Sequence, residues 1–297
     1  MTAIGDKDII GSAKIKPLIF WFLGLTVIFT APFQWFMITM GTAYVYIIAS
    51  MWAPALAALT ACRIVGVDIS VLGFKWGKSR WVIACYLIPL GYLLVVYGIT
   101  WVGGYGDFFN VDYINKLGDK LGLYGWSNTQ VALFSIPLFA LVMIPHQMVN
   151  SLGEELGWRG LLAPQLMRLM SFPAASFLSG FIWFLWHVPI IVWGSYMIEQ
   201  RPMAWQIGCF AIMLIGMSFP MMYYRLKSGS VWTAAMFHAS HNTFLLFVFL
   251  RLTKDGPNTK YIAGEWGVAT AGVVTAIALF YWYKANKEGL IGPLNRN

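Results

Sequence analysis

Apolar residues in this chain come in eight long runs separated by short polar stretches. A spanning helix needs about 20 mainly apolar residues, and the runs near residues 17–39, 43–62, 81–102, 129–150, 174–196, 203–224, 230–250 and 265–283 meet that length. Prolines 32, 54, 89, 137, 145, 189 and 220 fall inside these runs, where neighbouring helices or polar cavities can satisfy the carbonyls they free. The pattern predicts an all-α, polytopic membrane helix bundle of about eight transmembrane helices. No repeat, low-complexity stretch or linker interrupts it, so residues 1–297 form a single membrane domain. The polar start of the chain, through Lys16, leads into an apolar run longer than a signal-peptide core, which reads as a retained helix.

Composition supports the same class. Hydrophobic residues make up 59% of the chain and charged residues 11%, against about a quarter charged in soluble domains. The net charge of +8 would suggest nucleic acid in a soluble protein. Here the lysines and arginines lie between apolar runs, where they report topology instead. With the N-terminus inside, 14 of the 20 fall on inner segments and 6 on outer ones. Both termini are therefore expected in the cytoplasm, with the protein multi-pass in the cytoplasmic membrane, membrane lipids around it and no nucleic-acid partner. Cys62, Cys85 and Cys209 are scattered, with no CxxC spacing, and read as small apolar helix residues.

The chemistry concentrates at Ser151-Leu152-Gly153-Glu154-Glu155-Leu156-Gly157-Trp158-Arg159-Gly160. Two adjacent carboxylates beside hydrocarbon are costly, and such cost usually marks function. On a helix Glu155 and Arg159 share a face and can pair, while Glu154 points elsewhere and is left to contact water as a general base and later acid. Gly153 and Gly157, four apart, let a neighbouring helix approach closely. The plainer reading is a capping carboxylate in a cytoplasmic loop. His187, among aromatics, suits a partner for a carboxylate-held water, or equally a core histidine bonded to a carbonyl freed by Pro189. His238 and Asn242, four apart, can aim two donors at one developing oxyanion, or can simply pack helices. His241 partly shares their face as a supporting residue. His146 sits where it can line the same cavity or bond a carbonyl freed by Pro145.

Rival chemistries fit less well. His146 is not followed by glutamate as an HExxH zinc motif requires, and Ser179 lacks the GxSG setting of a rhomboid-like nucleophile. Gly104-Tyr105-Gly106-Asp107 matches GxGD, but it falls in an outer loop with no intramembrane aspartate to partner it, and reads as a turn.

Together these motifs resemble the CAAX-processing and bacteriocin-processing (CPBP, or Abi) intramembrane proteases. Glu154-Glu155 with Arg159 fits EExxxR, His187 fits the histidine of FxxxH, and His238 with Asn242 fits HxxxN; the resemblance covers roughly residues 129–250. It implies a membrane endopeptidase in which Glu154 activates water, His187 positions it, Glu155 and Arg159 brace the helix turn, and His238 and Asn242 hold the oxyanion. The substrate it implies is a membrane-associated or lipidated peptide, taken from a cavity opening towards the cytoplasmic leaflet. Trp183 stands where the family has Phe, a change that keeps an aromatic wall and alters the pocket. The family has also been described as metalloproteases, since Glu154, His187 and His238 supply three candidate Zn2+ ligands; a metal-free scheme without cofactor is favoured, because Asn242 suits an oxyanion donor better than a ligand. The scheme requires the fourth helix to continue past Asn150 so that Glu154 lies within the bilayer. The alternatives are a non-proteolytic bacteriocin-immunity or binding protein, and a proton-coupled transporter using Glu154 and His187.

Overall fold

The computed structural model describes residues 10–198 and 201–292. It is 79% helical, and eight helices are long and apolar enough to cross a membrane among the described residues. They begin with α1 (Ser12–Met40), α2 (Tyr44–Val65) and α3 (Ser79–Val102), followed outside the spans by the short amphipathic α4 (Val111–Leu121). Next comes α5 (Asn128–Glu155), started by a capping box in which Ser127 and Gln130 satisfy each other's backbone. It runs without a break through a π-helical segment (Leu156–Leu162) into α6 (Ala163–Met167). The bundle is completed by α7 (Phe172–Val192), α8 (Met203–Ser228), α9 (Trp232–Asn242) with a second π-helical segment (Thr243–Phe249) and α10 (Leu250–Leu252), the short α11 (Thr259–Ile262), and α12 (Val268–Lys287).

The eight spans match the eight apolar runs. The fourth is longer than its run, reaching from Asn128 to Met167 over 40 residues. At about 1.5 Å per residue that is roughly twice the hydrocarbon thickness. The helix thus continues past Asn150 and carries Glu154 within its length.

Burial sorts the helices. The spans built on α8 and on α9 are 72% buried over their apolar stretch, while those built on α1 and α12 reach 28% and 33%. The first two form the core and the others surround it. Val27, Leu133, Leu141 and Leu279 stay exposed on the outer helices, as expected where the neighbour is lipid. The three cysteines are free and buried.

Two features depart from the sequence reading. Gly106–Phe108 (β1) pairs antiparallel with Thr253–Asp255 (β2), Asp107 opposite Lys254. The Gly104–Asp107 stretch is thus a turn at Gly104, where φ is +71°, running into a strand. Lys7 and Arg296, counted above for orientation, lie outside the described residues.

Candidate active site

The two glutamates close α5 immediately before its π-helical segment, a distortion often found at functional sites. Gly153 and Gly157 allow the close approach inferred from their spacing. A Cβ on Gly153 would lie 2.7 Å from the Met51 carbonyl, and one on Gly157 would lie 2.6 Å from Pro54. Both clashes are with α2, so any larger residue would push that helix away.

Glu155 is fully buried and braced from two sides. Arg159 Nη1 donates to both carboxylate oxygens at 3.1 Å, and His238 Nδ1 donates to Oε1 at 3.0 Å. Arg159 is anchored in turn, its Nη2 donating to Ser218 Oγ at 2.7 Å and its carbonyl accepting from Arg225 Nε at 2.9 Å. Its guanidinium also lies 4.2 Å from the ring centre of Trp183. A buried carboxylate is tolerated only when paired and hydrogen-bonded, and Glu155 has both.

Glu154 is arranged differently. Its Oε2 accepts the indole N–H of Trp183 at 2.7 Å, and the carboxylate lines a cavity of about 350 Å³. His187, His238, His241 and Asn242 line the same cavity, with Gln147 and Asn150 from α5. His187 Nδ1 lies 3.0 Å from the Trp183 carbonyl, which can only accept, so Nδ1 carries the proton and Nε2 is left to the cavity. The acceptor is the Trp183 carbonyl one turn back, not one freed by Pro189. By the same logic His238 Nδ1, facing the Glu155 carboxylate, carries a proton. Its imidazole packs 5.3 Å from the Trp183 ring. Asn242 follows one turn later, directly before the second π-helical segment.

Two residues sit less centrally. His241 Nδ1 hydrogen-bonds the Tyr92 hydroxyl behind the cavity wall. His146 is exposed and does not line the cavity; its Nε2 meets the Tyr44 hydroxyl at 2.6 Å, and that hydroxyl accepts from Asn150 at 3.3 Å. His146 therefore touches the site only through Tyr44.

Trp183 was read as a wall, but its indole holds the carboxylate that faces the cavity. Glu265 and Tyr196, also in the lining, were missed altogether, because the sequence gives only the edges of two apolar runs there. An acid placed exactly where a span begins is the one signal available.

Connecting segments also line the cavity: Thr42 from the α1–α2 connection, Gly194–Tyr196 from the α7–α8 connection and Glu265 from residues 253–267. Eight alternating spans put those three connections on one face and the start of α1 and the end of α12 on the other.

Among the described residues, no three His, Cys, Asp or Glu side chains converge as a metal-binding group. The donors present do not fit a three-ligand zinc site, and no step below runs through a metal.

No curated protein matches the chain. Residues 135–244 match the family model described as Rce1-like, Type II CAAX prenyl endopeptidase Rce1-like. That segment holds Glu154, Glu155, Arg159, His187, His238 and Asn242, so over these 110 residues the chain is similar to the CAAX-processing membrane proteases.

Proposed function

We propose that the protein is an intramembrane endopeptidase that hydrolyses one peptide bond of a membrane-associated or lipidated peptide with a water activated by Glu154. The observation carrying this reading is the convergence of Glu154, His187, His238 and Asn242 on one cavity.

In this scheme Glu154 takes a proton from water as the oxygen attacks the scissile carbonyl. His187 Nε2 accepts the water's other hydrogen and fixes its direction. The carbonyl oxygen becomes an oxyanion, stabilised by the Asn242 amide and by His238 Nε2–H. For His238 to donate there while Nδ1 donates to Glu155, it must be an imidazolium, and Glu155 supplies the counter-charge. Glu154 then passes its proton to the departing nitrogen, leaving a carboxylic acid and an amine, which exchange the acid's proton on release. Preorganised donors of this kind contribute about 10²–10³ in rate each, and a positioned base about 10²–10⁴.

The charge pattern supports cytoplasmic termini. With that orientation the cavity opens on the far side of the cytoplasmic membrane, where it meets a lipid-anchored peptide from outside.

The test is cleavage of a quenched fluorescent lipopeptide library by the purified protein, wild type beside Glu154→Gln. Cleavage abolished by the substitution supports the assignment. Equal cleavage would remove Glu154 from the catalytic role; no cleavage by either protein, with a phenotype indifferent to Glu154, would point to a binding or immunity protein that keeps the fold without turnover.

A further inference from the structure

The cavity holds a second carboxylate that this scheme leaves unused. Glu265 lies two residues before the N-cap-led start of α12, is half-buried, and lines the same cavity as Glu154 and His187. The Tyr196 hydroxyl donates towards its two oxygens at 3.3 and 3.2 Å. The Tyr196 ring lies against His187, with ring centres 6.4 Å apart and planes 24° from parallel. A phenol thus holds an acid at the rim, next to the histidine assigned to the water.

What surrounds Glu265 is as informative as what holds it. No lysine or arginine is among the residues lining the cavity. Two cations of the neighbouring loops are engaged elsewhere. Arg201 donates to the Pro257 carbonyl at 2.9 Å and sits over the Tyr261 ring, and Lys260 pairs with Asp255 at 3.4 Å. In a chain of net charge +8, the cavity carries two carboxylates and no permanent cation. Burial pushes the Glu265 carboxyl up to about 7, with the Tyr196 hydrogen bond opposing. The charge of His238 also opposes the shift, so burial outweighs the partners that Glu265 has.

We propose that Glu265 is a specificity-determining residue that receives a lysine or arginine side chain of the peptide substrate. Ring-to-ring steps of 6.1 Å from Trp183 to His187 and 6.4 Å from His187 to Tyr196 separate the Glu154 end of the cavity from Glu265. Extended peptide covers about 3.3 Å per residue, so the cation belongs within roughly three or four residues of the cleaved bond. The same acid repels a free C-terminal carboxylate, which favours an internal segment over a short C-terminal tail. The inference rests on the endopeptidase reading for its geometry.

The experiment uses the full-length protein in detergent and three quenched lipopeptides, identical except for lysine, norleucine or glutamate at the scanned position. Binding is read by fluorescence anisotropy and turnover by dequenching. The expected result is at least a tenfold preference for the lysine peptide in both. Glu265→Gln should erase the ratio, and Glu265→Lys should reverse it towards a glutamate-containing peptide. No preference in the unaltered protein at any scanned position overturns the proposal, and so does a preference that survives Glu265→Gln. Anisotropy keeps the two readings apart. If nothing is cleaved while cation-selective binding disappears in Glu265→Gln, the hydrolase reading falls and the Glu265 assignment stands.

Discussion

Trp183 and Glu154 lie 29 residues apart in sequence, yet the indole N–H of one donates to the carboxylate of the other at 2.7 Å. The same tryptophan offers its ring to Arg159 and its carbonyl to His187. One residue thus touches the proposed base, the brace beside it and the histidine assigned to water.

Trp183→Phe restores the residue usual in the family and tests that relationship. The wall remains but the donor is lost. A hydrogen bond to a charged group is worth about 1.5–3 kcal/mol, so kcat should fall at least about tenfold with KM little changed. An unchanged kcat would show that the indole N–H only fills space.

Removing Arg159 should damage the fold as well as the site. Glu155 is fully buried and Arg159 Nη1 pairs with both of its oxygens. Breaking such a pair from one side costs about 3–5 kcal/mol. Arg159→Met should lower the thermal midpoint in detergent markedly. Arg159→Lys should rescue it only in part, because a single ammonium cannot also replace the Nη2 that donates to Ser218. A midpoint equal to wild type would contradict the bracing role.

Chelation separates the two catalytic schemes. Turnover of the lipopeptide should be unaffected by a strong chelator and should not rise with added zinc. Activity lost to chelator and recovered with zinc would replace the metal-free scheme.

The raised Glu265 carboxyl gives a pH signature with a defined sign. Its folded value of about 7 stands above the ordinary 4.5, so the folded protein keeps a proton that the unfolded chain releases between those values. Wild-type stability should therefore fall relative to Glu265→Gln as pH rises across that window. Above about 7 the carboxylate is charged, so preference for the lysine peptide should grow as pH passes through 7. Tyr196, Glu154, His187 and His238 face the same cavity, so the variant comparison, not the wild-type profile alone, isolates Glu265. A preference that is flat with pH would count against it.

Orientation can be read by labelling. Ser195→Cys on the rim should react with an impermeant maleimide in intact cells, while Lys287→Cys near the chain end should react only after permeabilisation. The three native cysteines are buried and set a low background. The opposite pattern would place the cavity mouth in the cytoplasm.

How much of this was legible in the sequence depended on whether the signal was local. The eight spans follow from run length, and the Glu155–Arg159 pair follows from helical spacing, because both are fixed by a few neighbouring residues. The gathering of Glu154, His187, His238 and Asn242 was readable as a set of motifs. Which glutamate His238 holds was not: Glu155 is its partner, and that depends on how α9 is rotated against α5. Trp183 could be identified as aromatic, but the direction of its N–H is a property of packing. Glu265 looked like the polar edge of the last span, since nothing nearby reveals that Tyr196, 69 residues earlier, reaches it. Motif residues likewise say nothing about which connections line the cavity.

The two π-helical segments begin at Leu156 and Thr243, directly after Glu155 and Asn242. A π turn holds more residues than an α turn, so each marks a point where surplus chain has been absorbed without moving what precedes it. Losing a single residue there would let the turn relax to α geometry with both flanks near their present register, whereas losing one from the regular α stretch on either side would swing the flanks about 100° against each other. Changes of length in these two helices should therefore be absorbed at Leu156–Leu162 and Thr243–Phe249 and nowhere else near the site.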